Sequence, residues 1–119
     1  LAGPVETFQG LCMAHLDDVA GLRRAAQAQG FELTELGPES FLGNRARTDE
    51  SVQVNVFTKA AFECAVTTSD VADPEALRAQ FFAALGISSP KSQVKAKIKG
   101  RSYSIKFDTN GGEALVIAR

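Results

Sequence analysis

The chain contains 119 residues, of which 45% are hydrophobic and 23% are charged, a composition that is ordinary for a soluble globular protein. This length indicates a single globular domain over residues 1–119, and no apolar run reaches the roughly 20 residues that a membrane-spanning helix needs. The net charge is −1, but residues 1–90 carry 12 acidic and 6 basic side chains, whereas residues 91–119 carry 2 acidic and 7 basic ones. Such asymmetry favours an anionic partner for the C-terminal part.

Two helices are predicted within the first thirty residues. Pro4 suits the first turn of a helix, where its missing N–H group has no partner to lose, and Val5, Phe8 and Cys12 follow at helical spacing as one apolar stripe. The chain then breaks and restarts, and Asp17 is expected to cap the second helix with its side chain.

The second helix is expected to end at Gly30, and a short strand can follow it over residues 31–36. The segment Gly37–Glu50 contains proline, glycine and asparagine, and it predicts either a long loop or an irregular strand. A long loop that carries Arg45 and Arg47 is a candidate recognition loop. The alternative is an irregular connection without a binding role.

Residues 51–68 predict a β-hairpin with one apolar face. Apolar and polar residues alternate on both sides of a short break, with Val56 in the first half and Cys64 in the second, and this period of two is typical of half-buried strands. A connecting loop of three or five residues places Cys64 opposite Val56 on the apolar face. A slip of one residue would expose the whole apolar set to water, so the face is well specified.

The two cysteines predict a disulfide bond. Cys12 lies on the apolar stripe of the first helix and Cys64 on the apolar face of the hairpin, and these two surfaces are expected to pack together. The alternative is two separately buried thiols, since free cysteine is a common core residue. A disulfide favours an oxidising compartment, and an N-terminal LAGP without an initiator Met suits either signal-peptide cleavage or a trimmed sequence. We therefore expect a periplasmic or secreted protein.

The C-terminal half predicts a helix followed by a three-stranded meander. Asp73-Pro74 is a strong helix start. Farther on, Gly100-Arg101 is expected to form a two-residue type II′ turn that pairs Ile98 with Tyr103. A glycine-rich turn at residues 110–112 then leads to the last strand. The predicted fold class is α+β, in the order ααβββαβββ, with an antiparallel sheet of about five strands and with two N-terminal helices and one mid-chain helix on one face.

Basic residues near the first C-terminal turn form a candidate anion-binding strip. Alternation along the predicted strands places lysines opposite the apolar face, and a partner could be an anionic ligand or an acidic protein surface. The alternative is that these lysines solvate an outer face and guard an edge strand against aggregation. Nucleic acid is not expected, because the aromatic residues that would stack on bases point to the core. The strip consists of Lys95, Lys97, Lys99, Arg101 and Lys106.

A metal site, a thiol active site and a pair of catalytic carboxylates are each only weakly indicated by the sequence. Cys12 and His15 share a helix face, but the chain has no second histidine and no third cysteine for a zinc site. We therefore expect no metal and no cofactor. Thiol catalysis would pair Cys12 or Cys64 with His15 as the base. The acidic residues Glu39 and Asp49-Glu50 are expected to be solvated turn residues rather than an acid–base pair.

The early cysteine in a first helix, the glycine-ended second helix, and ECAV in a strand followed by DPEAL resemble small exported proteins of Gram-negative bacteria with no assigned function. The resemblance covers residues 8–85 and implies export and a disulfide, with no catalytic residue to carry over. We expect a non-enzymatic exported binding domain whose ligand and oligomeric state the sequence does not specify. The alternatives are an inhibitor or immunity protein against a hydrolase, and the thiol enzyme described above.

Overall fold

A computed structural model describes residues 3–45, 52–57, 61–69, 71–88, 93–109 and 112–119. The helical segments are α1 (Pro4–Thr7), a π-helix that continues it (Phe8–Met13), α2 (Val19–Ala28) and α3 (Pro74–Ala84). The strands are β1 (Glu32–Gly37), β2 (Ser40–Arg45), β3 (Val52–Phe57), β4 (Glu63–Thr68), β5 (Gln93–Ile98), β6 (Arg101–Asp108) and β7 (Glu113–Ala118). Among these described segments, no helix has the length and apolar character that crossing a membrane requires.

The seven strands form one antiparallel sheet in the order β1-β2-β3-β4-β7-β6-β5. The α+β class is confirmed, and so is the general order of helices and strands. Among the described residues the sheet has seven strands rather than about five, one more than the six in the predicted order, because the segment for which the sequence allows a loop or an irregular strand forms β2 and pairs with both neighbours. β1 and β5 are the two edges of the sheet.

The helical segments cover one face of the sheet, which we call the inner face. α1 and the π-helix pack on β4, the π-helix also contacts β7, and α2 packs on β1 and β2. α3 packs on α1, and its Phe81 ring meets the ring of Phe8, the first residue of the π-helix, edge to face with centroids 5.0 Å apart. Alternating residues of the strands complete this core, among them Cys64, Ile105 and Ile117, which are fully buried. The opposite side of the sheet is the outer face.

The register of the middle hairpin agrees with the sequence pattern. Val56 pairs with Cys64, as predicted, and Phe57 pairs with Glu63. Both predicted loop lengths give this register, and most of the connecting loop lies outside the described residues. This register keeps Cys64 on the inner face beneath the first helical segment.

The register of the first C-terminal hairpin differs from the prediction. Ile98 pairs with Arg101 rather than with Tyr103, and Ala96 is the partner of Tyr103. The turn is Lys99-Gly100, with φ angles of 52° and 81°. Two central residues with positive φ are the signature of a type I′ turn, whose twist matches the flanking strands. The predicted type II′ turn at Gly100-Arg101 is therefore wrong.

The start of α2 also differs from the prediction. Asp18, and not Asp17, is the N-cap, and its Oδ1 accepts a hydrogen bond from the backbone N–H of Gly21 at 3.0 Å. Asp17 lies one residue earlier in the left-handed region with φ 57°, a conformation that aspartate tolerates better than most residues. Its carboxylate is therefore free to reach away from the helix, toward the sheet.

Candidate functional site

Cys12 and Cys64 form a disulfide with a Cα–Cα distance of 5.6 Å. Both residues are fully buried, and no cysteine of the described chain is a free thiol. The bond joins the π-helix to β4, the central strand of the sheet. Both sulfurs are therefore engaged in this structure, and neither is the free thiolate beside His15 that the thiol-enzyme alternative requires.

The structure divides the predicted anion-binding strip between two faces. Lys95 and Lys97 are exposed on β5, and half-buried Lys106 lies on the neighbouring strand, where its Nζ is 3.9 Å from Asp108 Oδ2. These three residues share the outer face and are called the outer strip below. Lys99 belongs to the turn. Arg101 is two residues before the buried Tyr103 on the same strand, so both side chains lie on the inner face.

The described part of the candidate recognition loop, residues 37–45, is mostly strand. Arg45 is the last residue of β2, its guanidinium carbon lies 4.3 Å from the centroid of the Phe31 ring, and its Nη2 is 3.4 Å from Gln29 Oε1. Arg45 thus fastens the end of α2 to the sheet. Arg47 and the pair Asp49-Glu50 lie outside the described residues.

The most concentrated polar arrangement is at a corner of the sheet, around Asp17. Its Oδ2 accepts a hydrogen bond from the Tyr103 hydroxyl at 2.5 Å and lies 3.3 Å from Arg101 Nη1, while its Oδ1 lies 3.0 Å from Arg119 Nε. We call these four residues the corner cluster. They come from the segment before α2, from β6 and from the end of β7, so the cluster ties the helical layer to the sheet.

Electrostatics at the corner cluster follow from this geometry. Burial alone would raise the pKa of Asp17, but the hydrogen bond from Tyr103 and the charges of Arg119 and Arg101 outweigh it, and the pKa lies below its ordinary value. The pKa of Tyr103 is raised, first by burial and then by its hydrogen bond to the Asp17 carboxylate. At neutral pH the cluster therefore holds one carboxylate, one neutral phenol and two guanidinium cations.

Two hollows open beside the corner cluster. One has a volume of about 450 Å³ and is lined by Asp17, Arg101 and Tyr103 together with His15 and Lys99. The other, of about 500 Å³, is lined by Asp17, Arg101 and Arg119 and also by Arg23, Glu39 and the first turn of α2. Both volumes are in the range of small-ligand sites. Arg23 is already engaged, because its guanidinium forms two hydrogen bonds to Glu35, of 3.2 and 2.9 Å.

Sequence reasoning did not find the corner cluster. Asp17 and Tyr103 are separated by 86 positions, and no local pattern connects them. One signal was present: Tyr103 falls on the apolar side of its strand, and a buried tyrosine hydroxyl needs a hydrogen-bond partner. The identity of that partner depends on how α2 begins, and the predicted cap, Asp17, lies one residue before the observed cap, Asp18.

Metal binding has no support in the part of the chain that the structure describes. Within the described ranges, no three His, Cys, Asp or Glu side chains are grouped so that they could hold a metal ion. The nearest approach to such a group is His15 with Asp18, whose Nδ1 and Oδ2 are 3.7 Å apart. This contact involves only two residues at the beginning of α2.

No protein-family model, curated protein or solved structure matches this chain. The two candidate sites, the outer strip and the corner cluster, therefore stand on the geometry of the chain itself.

Proposed function

We propose that the chain is an exported, non-enzymatic binding domain, stapled by one disulfide, that binds an anionic partner through the outer strip. The observation that carries this proposal is the one-sided architecture. All three helices lie on the inner face, so the outer face remains uncovered among the described residues, and three lysines from two adjacent strands share one flank of it.

The centre of the outer face differs from its flank in the side chains that it presents. Its centre consists of small side chains, with Ala65 opposite Val116 and with Ala114 and Ala118 beside them. Ala65 and Val116 are only 8% and 5% exposed. The outer face also carries Glu32, Glu63 and Asp108, so its positive charge is concentrated on the β5–β6 flank. Charge complementarity at that flank favours an anionic partner.

Export is supported by the buried disulfide. Disulfides form and persist in secreted and periplasmic proteins and are rare in reducing cytosol. A stapled scaffold also loses little conformational entropy when it binds a partner. The same rigidity suits the specialised alternative, an inhibitor or immunity protein that binds the acidic surface of a hydrolase.

A competing explanation for the lysines is protection of the sheet edge. β5 is an edge strand, and lysines on such a strand prevent pairing with another chain. The two explanations predict different results when the charges are changed. If the lysines only protect the edge strand, a variant without their charges should aggregate but bind anions as the wild type does. The proposed function instead predicts that such a variant loses anion binding.

Retention on a heparin-coated matrix tests the proposed function. The wild-type chain, although its net charge is −1, should be retained at low ionic strength and released near 0.15 M salt, where the Debye length is about 8 Å. Lys97→Glu should reduce retention, and K95E/K97E should abolish it. Arg24→Glu is the matched control, because it makes the same change in net charge at an exposed position on α2.

Equal losses for Lys97→Glu and Arg24→Glu would contradict the proposal, since they would indicate a response to net charge alone. Retention of K95E/K97E at the wild-type salt concentration would also contradict it. Circular dichroism and thermal unfolding of each variant establish that the fold is retained before retention is compared.

A further inference from the structure

We infer that the corner cluster is a second binding site, which takes a small oxyanion, a carboxylate or a phosphate group, between Arg101 and Arg119. This site lies at the inner-face corner of the sheet and shares no residue with the outer strip. It would hold either a free small molecule or an anionic group of a larger ligand.

The two arginines retain hydrogen-bonding capacity beyond their contacts with Asp17. Each guanidinium has five N–H donors, and Nη1 of Arg101 and Nε of Arg119 lie 3.3 and 3.0 Å from the oxygens of Asp17. Their side chains are 57% and 45% exposed and both line the hollow of about 500 Å³, so donors that do not contact Asp17 are accessible from that hollow. The planar fork of a guanidinium matches the oxygens of carboxylate and phosphate groups.

Asp17 and its neighbours hold the two arginines in place before a ligand arrives. The Asp17 carboxylate is itself fixed by the buried hydroxyl of Tyr103, and the backbone N–H of Arg119 donates to the carbonyl of Phe62 at 2.9 Å. A fixed donor loses less entropy on binding than a flexible lysine would. Asp17 is therefore a positioning residue, because it acts on the ligand through Arg101 and Arg119.

The backbone at this corner is unusual in a way that fits a built site. Among the described residues other than glycine, the two with positive φ are Asp17 and Lys99, and both line the hollow of about 450 Å³. Residues in sparsely populated conformations occur preferentially at binding and active sites. The positive φ angles of Asp17 and Lys99 identify no ligand by themselves, but they occur beside the guanidinium groups of Arg101 and Arg119.

The charges around the hollows favour an anion over a cation. Both oxygens of Asp17 are already engaged by Tyr103, Arg101 and Arg119, so a cation would find no unengaged oxygen on this half-buried carboxylate. Asp18 and Glu39 lie on the rim of the hollow of about 500 Å³ and oppose an anion there. The affinity for a free anion should therefore be modest, and the probes should be used at millimolar concentrations.

The only tyrosine of the chain makes this site directly observable. The sequence has one tyrosine and no tryptophan, so ultraviolet fluorescence of the folded protein reports mainly on Tyr103. We would titrate the protein with inorganic phosphate and, separately, with acetate, replacing chloride at constant ionic strength, and repeat each titration by calorimetry. A saturable response to one or both probes is expected, and the stronger response identifies the preferred oxyanion.

Arg101→Gln and Arg119→Gln should each weaken binding about tenfold or more, as expected for the loss of a charge-assisted hydrogen bond. Arg101→Lys keeps the charge but removes the fork, and it should also weaken binding. Arg24→Gln is the control, because it removes one positive charge at an exposed position on α2, outside both proposed sites, and should leave the affinity unchanged. Asp17→Asn, which keeps the local backbone, should weaken binding by less than the loss of an arginine.

The inference is overturned if neither probe gives a saturable response by fluorescence or calorimetry. It is also overturned if Arg24→Gln weakens binding as much as Arg101→Gln does, since that result would reflect the overall charge. Thermal unfolding identifies any variant that fails to fold, and Arg101→Lys then serves as the milder replacement. These outcomes are independent of heparin retention, which tests the outer strip.

Discussion

Two adjacent acidic residues, Asp17 and Asp18, perform different structural tasks. Asp18 caps α2 by accepting a hydrogen bond from the backbone N–H of Gly21. This interaction is local, because the first N–H groups of any helix need a hydrogen-bond acceptor. Asp17 reaches across to Tyr103 and two arginines, so its contribution depends on the whole fold. A left-handed backbone at Asp17 separates the two side chains and directs them to different partners.

Asp17→Asn should destabilise the protein by about 1–2 kcal/mol at neutral pH, because hydrogen bonds to a charged group become neutral ones. Asparagine tolerates the left-handed conformation as aspartate does, so backbone strain is matched. The pKa of Asp17 is lowered in the folded state. The ionised carboxylate therefore stabilises the folded protein fully above the ordinary pKa of aspartate, and this stabilisation is lost as pH falls through the lowered value. Urea unfolding of both proteins at pH 7 and pH 3 measures this difference, which should shrink at the lower pH. A constant difference would indicate that the carboxylate charge is not the cause.

Tyr103 should ionise at higher pH than a free tyrosine, because burial and the Asp17 carboxylate raise its pKa above the ordinary value of 10.0. Because the pKa of Tyr103 is raised in the folded state, its neutral phenol adds to the free energy of unfolding at pH values below the ordinary pKa of tyrosine. This stabilisation disappears as pH rises through the folded-state pKa. Near-ultraviolet absorbance of the phenolate gives the titration without interference from other tyrosines. In the Asp17→Asn variant the transition should move toward 10.0. The comparison applies over the pH range in which circular dichroism remains native.

At the scale of the elements, the β5–β6 hairpin illustrates how a turn sets a register. Glycine at position 100 is compatible with a type I′ or a type II′ turn, because both need positive φ at a central residue. The turn is formed by Lys99-Gly100. Compared with the predicted Gly100-Arg101 turn, the pairing of β5 with β6 is shifted by two residues, so the same residues remain on the apolar face. That shift also places Arg101 opposite Ile98, on the inner face beside Asp17.

Lys99→Asn should stabilise the hairpin, because asparagine accepts positive φ more readily than lysine and Asn-Gly is the preferred type I′ pair. We expect a gain of about 0.5 kcal/mol, within the range that turn substitutions give at compatible positions. Thermal or urea unfolding measures it. Lys97→Asn is the control, since position 97 lies within β5, where asparagine is disfavoured. Destabilisation by Lys99→Asn would contradict the type I′ assignment.

At the scale of the whole molecule, the disulfide joins the N-terminal helical segment to the centre of the sheet. Cys12 and Cys64 are separated by 52 positions, and both lie in the core that the helices share with β4 and β7. The bond therefore spans α2, β1, β2 and β3 along the chain. It limits how far the helical layer can separate from the sheet in the unfolded state.

The double variant C12A/C64A should lose about 4 kcal/mol of stability, the chain-entropy expectation for closing a loop of this length, together with a smaller loss from the core. Urea unfolding of the oxidised wild type, the reduced wild type and the variant separates the two contributions. Alkylation of the oxidised protein in denaturant should label no thiol, and prior reduction should expose two. Labelling of two thiols without reduction would contradict the disulfide.

The sequence by itself determined the α+β class, the apolar face of the middle hairpin and the partnership of Cys12 with Cys64. Each depends on periodicity or on a short-range constraint, and a slip of one residue would have exposed an apolar set to water. Tertiary structure alone decided the seven-stranded sheet order, the division of the basic residues between two faces, and the corner cluster. The physical reason is that Asp17, Tyr103 and Arg119 are brought together by the packing of distant segments, and hydrogen bonds between such segments leave no periodic signal in the chain.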